Sequence, residues 1–360
     1  MNGVVRSYQH LTREWRAMGH EVRVIGPAEF TTLPMPGYSE IRLAFWPGRK
    51  MGRLIAQFSP DIIHIAVEGP LGWAARHYCL QHGLAFSTSF HTNFPAYIAL
   101  RAPRVFRATL ERLALGALRR FHAHARHVFV ATPSIEALLR DWGFRMPMAR
   151  LSRGVDTTLF FPAPETRETP RVDHPTLLYV GRIAPEKSLE TFLSLDAHAL
   201  GPHRKVIVGD GPALGSLRRR FPDAEFCGKL EGKALAEVYR RADVFVFPSR
   251  TDTFGIVLIE ALASGLPIAA HDAPGPRDIV TEPSLGSLDD DLACAIRRAL
   301  NAPGGRAARA AHVRARYDWN SVAETFLRAN SSSKVSMQPE VNTFAAHTIP
   351  VEGSPAHTRG

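Results

Sequence analysis

Two carboxylates stand eight residues apart in one apolar stretch, Thr251–Pro267 (TDTFGIVLIEALASGLP), with Asp252 ahead of Thr-Phe-Gly and Glu260 inside the run. The pattern predicts a buried helix over Phe254–Ala263, with Thr253 as its N-cap. Unpaired N–H groups and a partial positive charge at such a helix start suit a phosphate. Gly255 would let the ligand approach the backbone closely. Eight helical residues rise about 12 Å, roughly the span from a sugar across a diphosphate to a ribose. Asp252 is therefore placed to hold sugar hydroxyls and Glu260 a ribose diol, with Phe254, Gly255 and Ile256 at the phosphates. Taken alone, an acid near a helix start and an incidental buried glutamate account for the stretch equally well.

Cations stand at matching places earlier in the same half. In LLYVGRIAPEKSLETFL (Leu177–Leu193) a strand runs into a turn at Gly181 and then a helix entered near Pro185. Arg182 and Lys187 fall at the C-terminal end of that strand, where open α/β sheets bind ligands. A planar guanidinium fork and a movable ammonium together suit a diphosphate, although a solvated turn can carry the same residues. KVIVGDGPALGSL (Lys205–Leu217) places Gly209-Asp210-Gly211-Pro212 after another buried strand. That turn is similar to a dinucleotide-binding loop but lacks its full spacing. FCGKL (Phe226–Leu230) offers backbone near Leu230 for a base edge, or is an ordinary turn.

The elements that must position these residues alternate between short apolar runs and helical patterns, which predicts α/β architecture with parallel, doubly wound sheets. Strands are expected at Glu21–Ile25, Glu40–Phe45, Asp61–Ala66, Ala85–Ser89 and Val128–Ala131 in the first half. In the second half they are expected at Leu177–Gly181, Lys205–Gly209, Ala224–Cys227, Asp243–Phe247 and Pro267–Ala270. The Pro- and charge-rich FFPAPETRETPRVDHP (Phe160–Pro175) reads as a linker. The expected organisation is a first Rossmann-like domain over 1–160, a linker over 161–175 and a second Rossmann-like domain over 176–310. Helices over 311–329 pack back toward the first domain, and 330–360 form a disordered tail. Tyr8, Leu11, Trp15 and Met18 mark one face of a helix that starts almost at Met1. A doubly wound domain puts a strand before that helix, so the first strand of the N-terminal domain is expected to be missing and folding to suffer.

The chain has 360 residues, 45% hydrophobic and 22% charged, with a formal net charge of +10. That balance suits a globular protein with an anionic partner. Three widely spaced cysteines, Cys79, Cys227 and Cys294, argue against a disulfide framework or zinc site. No apolar run approaches the roughly 18 residues of a membrane span, and no secretory leader is recognisable. A cytoplasmic protein is expected. Asp289-Asp290-Asp291 precedes LACAIRRAL and reads as helix capping rather than metal binding. The segment from Ile98 to Phe121 interleaves Arg101, Arg104, Arg107, Arg112, Arg119 and Arg120 with apolar residues. It reads equally as a helix for an anionic membrane surface or as a solvated face. Nothing in the sequence resembles a nucleic-acid recognition motif.

In order and spacing, Gly181-Arg182…Lys187, Gly209-Asp210-Gly211-Pro212 and Asp252…Glu260 resemble the donor half of the retaining family-4 glycosyltransferases, which have the two-domain GT-B fold. Gly3-Val4 looks like that family's glycine loop facing the donor phosphates. HIAVEGPLG (His64–Gly72), STSFHTNFPAY (Ser87–Tyr97) and SRGVD (Ser152–Asp156) resemble the branch of GDP-mannose-dependent α-mannosyltransferases and sulfoquinovosyltransferases acting on lipids. The resemblance spans about residues 1–328. It implies donor contacts at Gly3, Gly181, Gly211, Leu230, Phe254, Gly255, Ile256 and Glu260, and a reacting centre at His91, Arg182, Lys187 and Asp252. It implies an acceptor side at Glu68 and Tyr97. A structural histidine is the alternative for His91. The resemblance implies a retaining hexosyltransferase using GDP-mannose or a UDP-sugar, without metal or cofactor, acting on a glycolipid or lipid headgroup at the inner face of the membrane. Asp252 stands where the family's motif has glutamate, which leaves the sugar open. A nucleotide-sugar epimerase of the same fold and an inactive nucleotide-sugar-binding relative are the alternatives.

Overall fold

Strands such as Thr176–Val180 (TLLYV) and Val244–Phe247 (VFVF) are apolar or β-branched at every position, as strands covered on both faces must be, and all their residues are buried. In the computed structural model, which describes residues 3–35, 38–91, 93, 95, 105–163 and 174–331, such strands build two parallel sheets. Residues 1–2, Tyr97, Arg101, Arg104, most of the expected linker and 332–360 lie outside the described residues.

The strands are β1 (Thr32–Met35), β2 (Tyr38–Ala44), β3 (His64–Ile65), β4 (Ser87–Ser89), β5 (Val128–Val130), β6 (Met148–Arg150), β7 (Thr176–Val180), β8 (Arg204–Val208), β9 (Glu225–Gly228), β10 (Val244–Phe247), β11 (Ile268–Ala270) and β12 (Gly286–Leu288). The N-terminal half carries helices α1 (Gly3–Ala17), α2 (Gly48–Phe58), α3 (Pro70–Gln81), α4 (Arg107–His122) and α5 (Pro133–Asp141). The C-terminal half carries α6 (Leu189–Leu193), α7 (Ala197–Leu200), α8 (Leu214–Arg220), α9 (Gly232–Arg241), α10 (Ile256–Ala263), α11 (Pro274–Arg277), α12 (Leu292–Leu300) and α13 (Arg306–Arg316). It is followed by α14 (Trp319–Ser331).

The first parallel sheet has the order β3-β4-β5-β6, and the second β12-β11-β10-β7-β8-β9. In the second, Leu178, Val180, Phe245 and Phe247 enter one core while Leu177, Tyr179, Val244 and Val246 enter the other. This period-two alternation separates the helix layers on the two faces.

Several expectations change on contact with the fold. Glu21–Ile25 is not a strand, and its Val24 is 58% exposed. The apolar pattern alone does not make a strand, because stability comes from ladder pairing that this segment does not receive. The expected Glu40–Phe45 strand is β2, which pairs antiparallel with β1 instead of joining the parallel sheet. β6 and β12 were not expected: each is three residues long and is held at a sheet edge by one neighbour. Phe160 is a core residue at 6% exposure rather than linker. The helix α14 runs to Ser331, past the expected start of the tail at 330.

α14 returns to the N-terminal half. The Trp15 indole N–H donates to the Ala323 carbonyl at 3.2 Å, and Leu11, Trp15, Phe129, Leu151, Trp319 and Phe326 share one core. Gly154 allows the return, because a Cβ there would stand 2.5 Å from the Trp319 ring. In the C-terminal half the turns after β7 and β8 are joined by backbone bonds. Ile183 N–H donates to the Asp210 carbonyl and Ala213 N–H to the Ile183 carbonyl. A Cβ on Gly209, which has φ +144, would stand 1.8 Å from the Gly181 carbonyl oxygen. These glycines therefore serve turn-to-turn contact. Gly209→Ala is expected to cost about 3 kcal/mol or more through clash and backbone strain, measured as a lower thermal unfolding midpoint.

Candidate active site

Numbered within its own half, the second sheet runs 6-5-4-1-2-3, so the chain reverses direction of build between β7 and β10. The crevice at such a reversal, beyond the C-terminal strand ends, is the ligand site of open α/β sheets. The segment after β7 supplies Gly181, Arg182 and Lys187, and the segment after β10 supplies Asp252. Lys187 Nζ meets Asp252 Oδ1 at 2.5 Å, with both side chains less than one-fifth exposed. The other carboxylate oxygen, Asp252 Oδ2, is buried with no hydrogen-bond partner. Arg182 follows Gly181 directly, and its carbonyl accepts from the Tyr179 hydroxyl at 2.8 Å.

α10 begins at Ile256, later than expected, and its N-cap is Gly255 with φ +86 and no side-chain cap. Thr253 is not the cap. Its hydroxyl donates instead to the His91 carbonyl at 2.8 Å, across to the other half. A β-hydroxyl caps only when two or three residues before the helical N–H groups it serves, and the positive φ of Gly255 breaks that approach. Phe254 is 5% exposed and packs in the core behind α10. Gly3 opens α1 opposite, with its Cβ direction 3.7 Å from Ile256 Cδ1. The starts of α1 and α10 thus lie against each other, and α10 opens four residues after Asp252. Gly211 lies in the joined turn, where a Cβ would meet the Ile183 carbonyl at 2.3 Å. Leu230, after β9, packs at the edge of the core.

Glu260 is one turn into α10 and 5% exposed. Burial pushes its carboxyl up, while the Tyr239 hydroxyl, donating at 2.9 Å, and nearby Arg6 draw it down. The Arg6 guanidinium, from α1, lies 3.8 Å from Glu260 Oε1 and 3.5 Å from Glu231 Oε1.

His91 follows β4 in a polar network. Arg153 donates to its Nδ1 at 2.8 Å, and Tyr8 Oη lies 3.1 Å from its Nε2. A guanidinium only donates, so Nδ1 accepts and the ring proton sits on Nε2. Tyr8 Oη also lies 2.7 Å from His64 Nε2, whose Nδ1 contacts Ser87 Oγ at 2.9 Å. Burial and the Arg153 charge hold His91 well below the ordinary histidine range, and burial first of all takes His64 down to about 3. Both rings are neutral, and His91 is held by Tyr8 and Arg153 rather than free as a base. Glu68 lies further back, with Oε1 3.3 Å from His122 Nε2, while His122 Nδ1 contacts Thr88 Oγ1 at 2.8 Å. Tyr97 falls outside the described residues.

The structure therefore brings together Gly3, Lys187, Asp252, Gly255, Ile256 and Glu260, with His91 reaching the Asp252 segment through Thr253. Arg6, Tyr8, Arg153, Tyr239 and His122 were missed from sequence. The helical spacing of Arg6 from Gly3 and the place of Arg153 inside SRGVD were the signals at hand. The expected capping role of the acidic triplet holds for Asp291, which accepts from Ala293 N–H at 2.9 Å. Among the described residues no cluster of three His, Cys, Asp or Glu is placed to hold a metal ion.

Two parallel α/β halves meeting at the C-terminal ends of their strands define a GT-B glycosyltransferase fold. Sucrose-phosphate synthase of Thermosynechococcus elongatus superposes with a TM-score of 0.72 over 92% of this chain and 93% of that one, at 22% identity. The model of Glycosyltransferase Family 4 matches residues 1–159, and that of Glycosyl transferases group 1 matches 174–302. A GDP-mannose-dependent alpha-mannosyltransferase of Mycolicibacterium smegmatis is 32% identical over 324 residues, 83% of this chain and 84% of that protein. Sulfoquinovosyl transferase SQD2 of Arabidopsis thaliana is 31% identical over 309 residues, 79% of this chain and 60% of that protein. The chain belongs to the family-4 glycosyltransferases.

The neutral histidines set a pH dependence. Their folded pKa values lie below the unfolded value near 6.5, so only the unfolded chain takes up protons as pH falls through that value. Stability is full above about pH 6.5 and each such histidine removes about 1.4 kcal/mol per pH unit below it. The thermal midpoint is expected to fall steeply between pH 7 and 5, and less steeply in His64→Gln. A flat midpoint in the parent protein over that range would contradict the buried neutral network.

Proposed function

We propose that the protein moves an α-linked hexose, mannose before other sugars, from a nucleoside diphosphate donor to a glycolipid or lipid headgroup, with retention at the anomeric carbon. GDP-mannose is the first donor to test and a UDP-sugar the second. The observation that carries this reading is the buried, unpartnered Asp252 Oδ2 beside Lys187. A buried carboxylate oxygen without a partner is costly, and a sugar hydroxyl at this crevice completes it. The similarity to a GDP-mannose-dependent alpha-mannosyltransferase supports the donor class.

In this reading the bond from the anomeric carbon to the diphosphate oxygen breaks, and negative charge grows on the leaving group. Lys187, Arg182 and the facing starts of α1 and α10 meet that charge in place, as preorganised electrostatics requires. The protein's own cations supply the stabilisation, and no metal or other cofactor is assigned a part. The acceptor oxygen bonds to the same face, and its proton passes to the departing diphosphate. No side chain is assigned as nucleophile, and the engagement of both His91 nitrogens agrees with a positioning role. Glu260 holds the ribose diol.

A charge-assisted hydrogen bond contributes roughly 1.5–3 kcal/mol, so Lys187→Ala and Arg182→Ala are each expected to lower kcat about tenfold to a hundredfold. The product linkage is expected to be α by NMR. Unchanged turnover in both variants would remove the clamp. Sugar interconversion in donor-only incubation would mark an epimerase, and binding without transfer an inactive relative.

The lipid acceptor draws on α4. Val105, Phe106, Leu110 and Leu113 are 86%, 60%, 38% and 64% exposed, with Arg107 and Arg112 also exposed among them. Phe106, Leu110 and Leu113 share one helical stripe. Apolar side chains bordered by cations suit an anionic bilayer surface, and no described helix is long and apolar enough to cross one. The proposed location is peripheral, on the cytoplasmic face of the membrane. Co-sedimentation with phosphatidylglycerol vesicles is expected to fall several-fold in Phe106→Ser/Leu113→Ser, while neutral vesicles retain neither protein.

A further inference from the structure

Arg6 is a cation that the N-terminal half brings to Glu260, and its setting is unusual for a structural ion pair. Gly3 lies against Ile256, so α1 and α10 start side by side. Arg6 is about one turn along α1, and Glu260 about one turn along α10. The guanidinium lies between Glu260 and Glu231, at 3.8 and 3.5 Å. Those separations are long for hydrogen bonds, so the fork is held by charge alone while 31% of the side chain faces solvent.

We infer that Arg6 is a ligand of the donor diphosphate, resting on Glu260 and Glu231 until the ribose takes Glu260 and the phosphates take the guanidinium. The inference rests on the proposed use of a nucleotide-sugar. Each acid has something to keep when Arg6 leaves. Glu231 holds Lys229 at 3.1 Å, and Glu260 holds the Tyr239 hydroxyl at 2.9 Å and gains the ribose hydroxyls. Before the donor arrives, burial works against ionised Glu260, and the Arg6 charge opposes that effect. The empty site therefore keeps a cation beside its ribose acceptor. A guanidinium fork matches two phosphate oxygens at once, and the facing helix starts lie about one turn from it. The exchange moves one side chain and leaves no buried charge without a partner. It also makes docking of the N-terminal half part of donor binding.

The test compares GDP with guanosine on the full chain and on Arg6→Gln, by isothermal titration for GDP and by displacement of GDP for guanosine. UDP and uridine are run alongside. Arg6→Gln is expected to weaken the nucleoside diphosphate about tenfold or more, while the nucleoside binds unchanged or more tightly because Glu260 is released. Arg6→Lys, which keeps the charge without the fork, is expected to recover part of the loss. Equal weakening of diphosphate and nucleoside, or no change in either, would overturn the inference and leave Arg6 as a tie between the halves. If the parent protein binds neither GDP nor UDP, the proposed function fails first and takes this inference with it.

Discussion

The contact between Lys187 and Asp252 depends on the order of strands in one sheet. β7 and β10 are neighbours although two strands, β8 and β9, separate them along the chain, and the turns leaving them must converge. A cation from one turn and a carboxylate from the other then occupy the same crevice. Everything nearby serves that convergence. The turns after β7 and β8 are bonded through their backbones, so the segment bearing Arg182 and Lys187 has a rigid support. Preorganised charge acts on a reacting group only when its carriers cannot relax away.

The second organising feature is that the polar groups near the crevice are arranged to avoid spare protons. Arg153 fixes the ring of His91 in one tautomer, and Tyr8 links it to His64. Such a network keeps its geometry because every member has a direction in which to donate or accept. Glu68 and His122 form a separate pair behind β4. The histidines thus act as fixed polar walls, while the ionised groups gather at the mouth around Asp252, Lys187, Arg6 and Glu260.

The C-terminal half was legible because its strands are continuous apolar runs and its motifs sit at strand ends. The positions of β7, β8, β9, β10 and β11 were within a residue or two of the expectation. The N-terminal half was less so. Glu21–Ile25 has the composition of a strand but no ladder, and β2 looked like a sheet strand but closes a hairpin. Pairing partners decide these cases, and periodicity does not report partners. In the site, the individual residues were visible but their relations were not. Thr253 had the composition and place of a cap, yet the positive φ at Gly255 turned its hydroxyl toward His91. Arg6 and Arg153 act across elements far apart in sequence, and no local pattern marks that.

The backbone crosses between the halves twice. One crossing joins β6 to β7, and the other leaves α13 at Tyr317 to begin α14 at Trp319, where Val155 N–H donates to the Tyr317 carbonyl. Gly154 and the Trp319 ring bring this second crossing tight against the SRGVD segment. The second crossing thus lies against the segment that leads into the first, and the halves are tied again where Ser134 N–H and hydroxyl donate to Asp278 and the Thr253 hydroxyl donates to the His91 carbonyl. Any separation of α1 from α10 therefore has to give up the Arg6–Glu260 and Thr253–His91 contacts together.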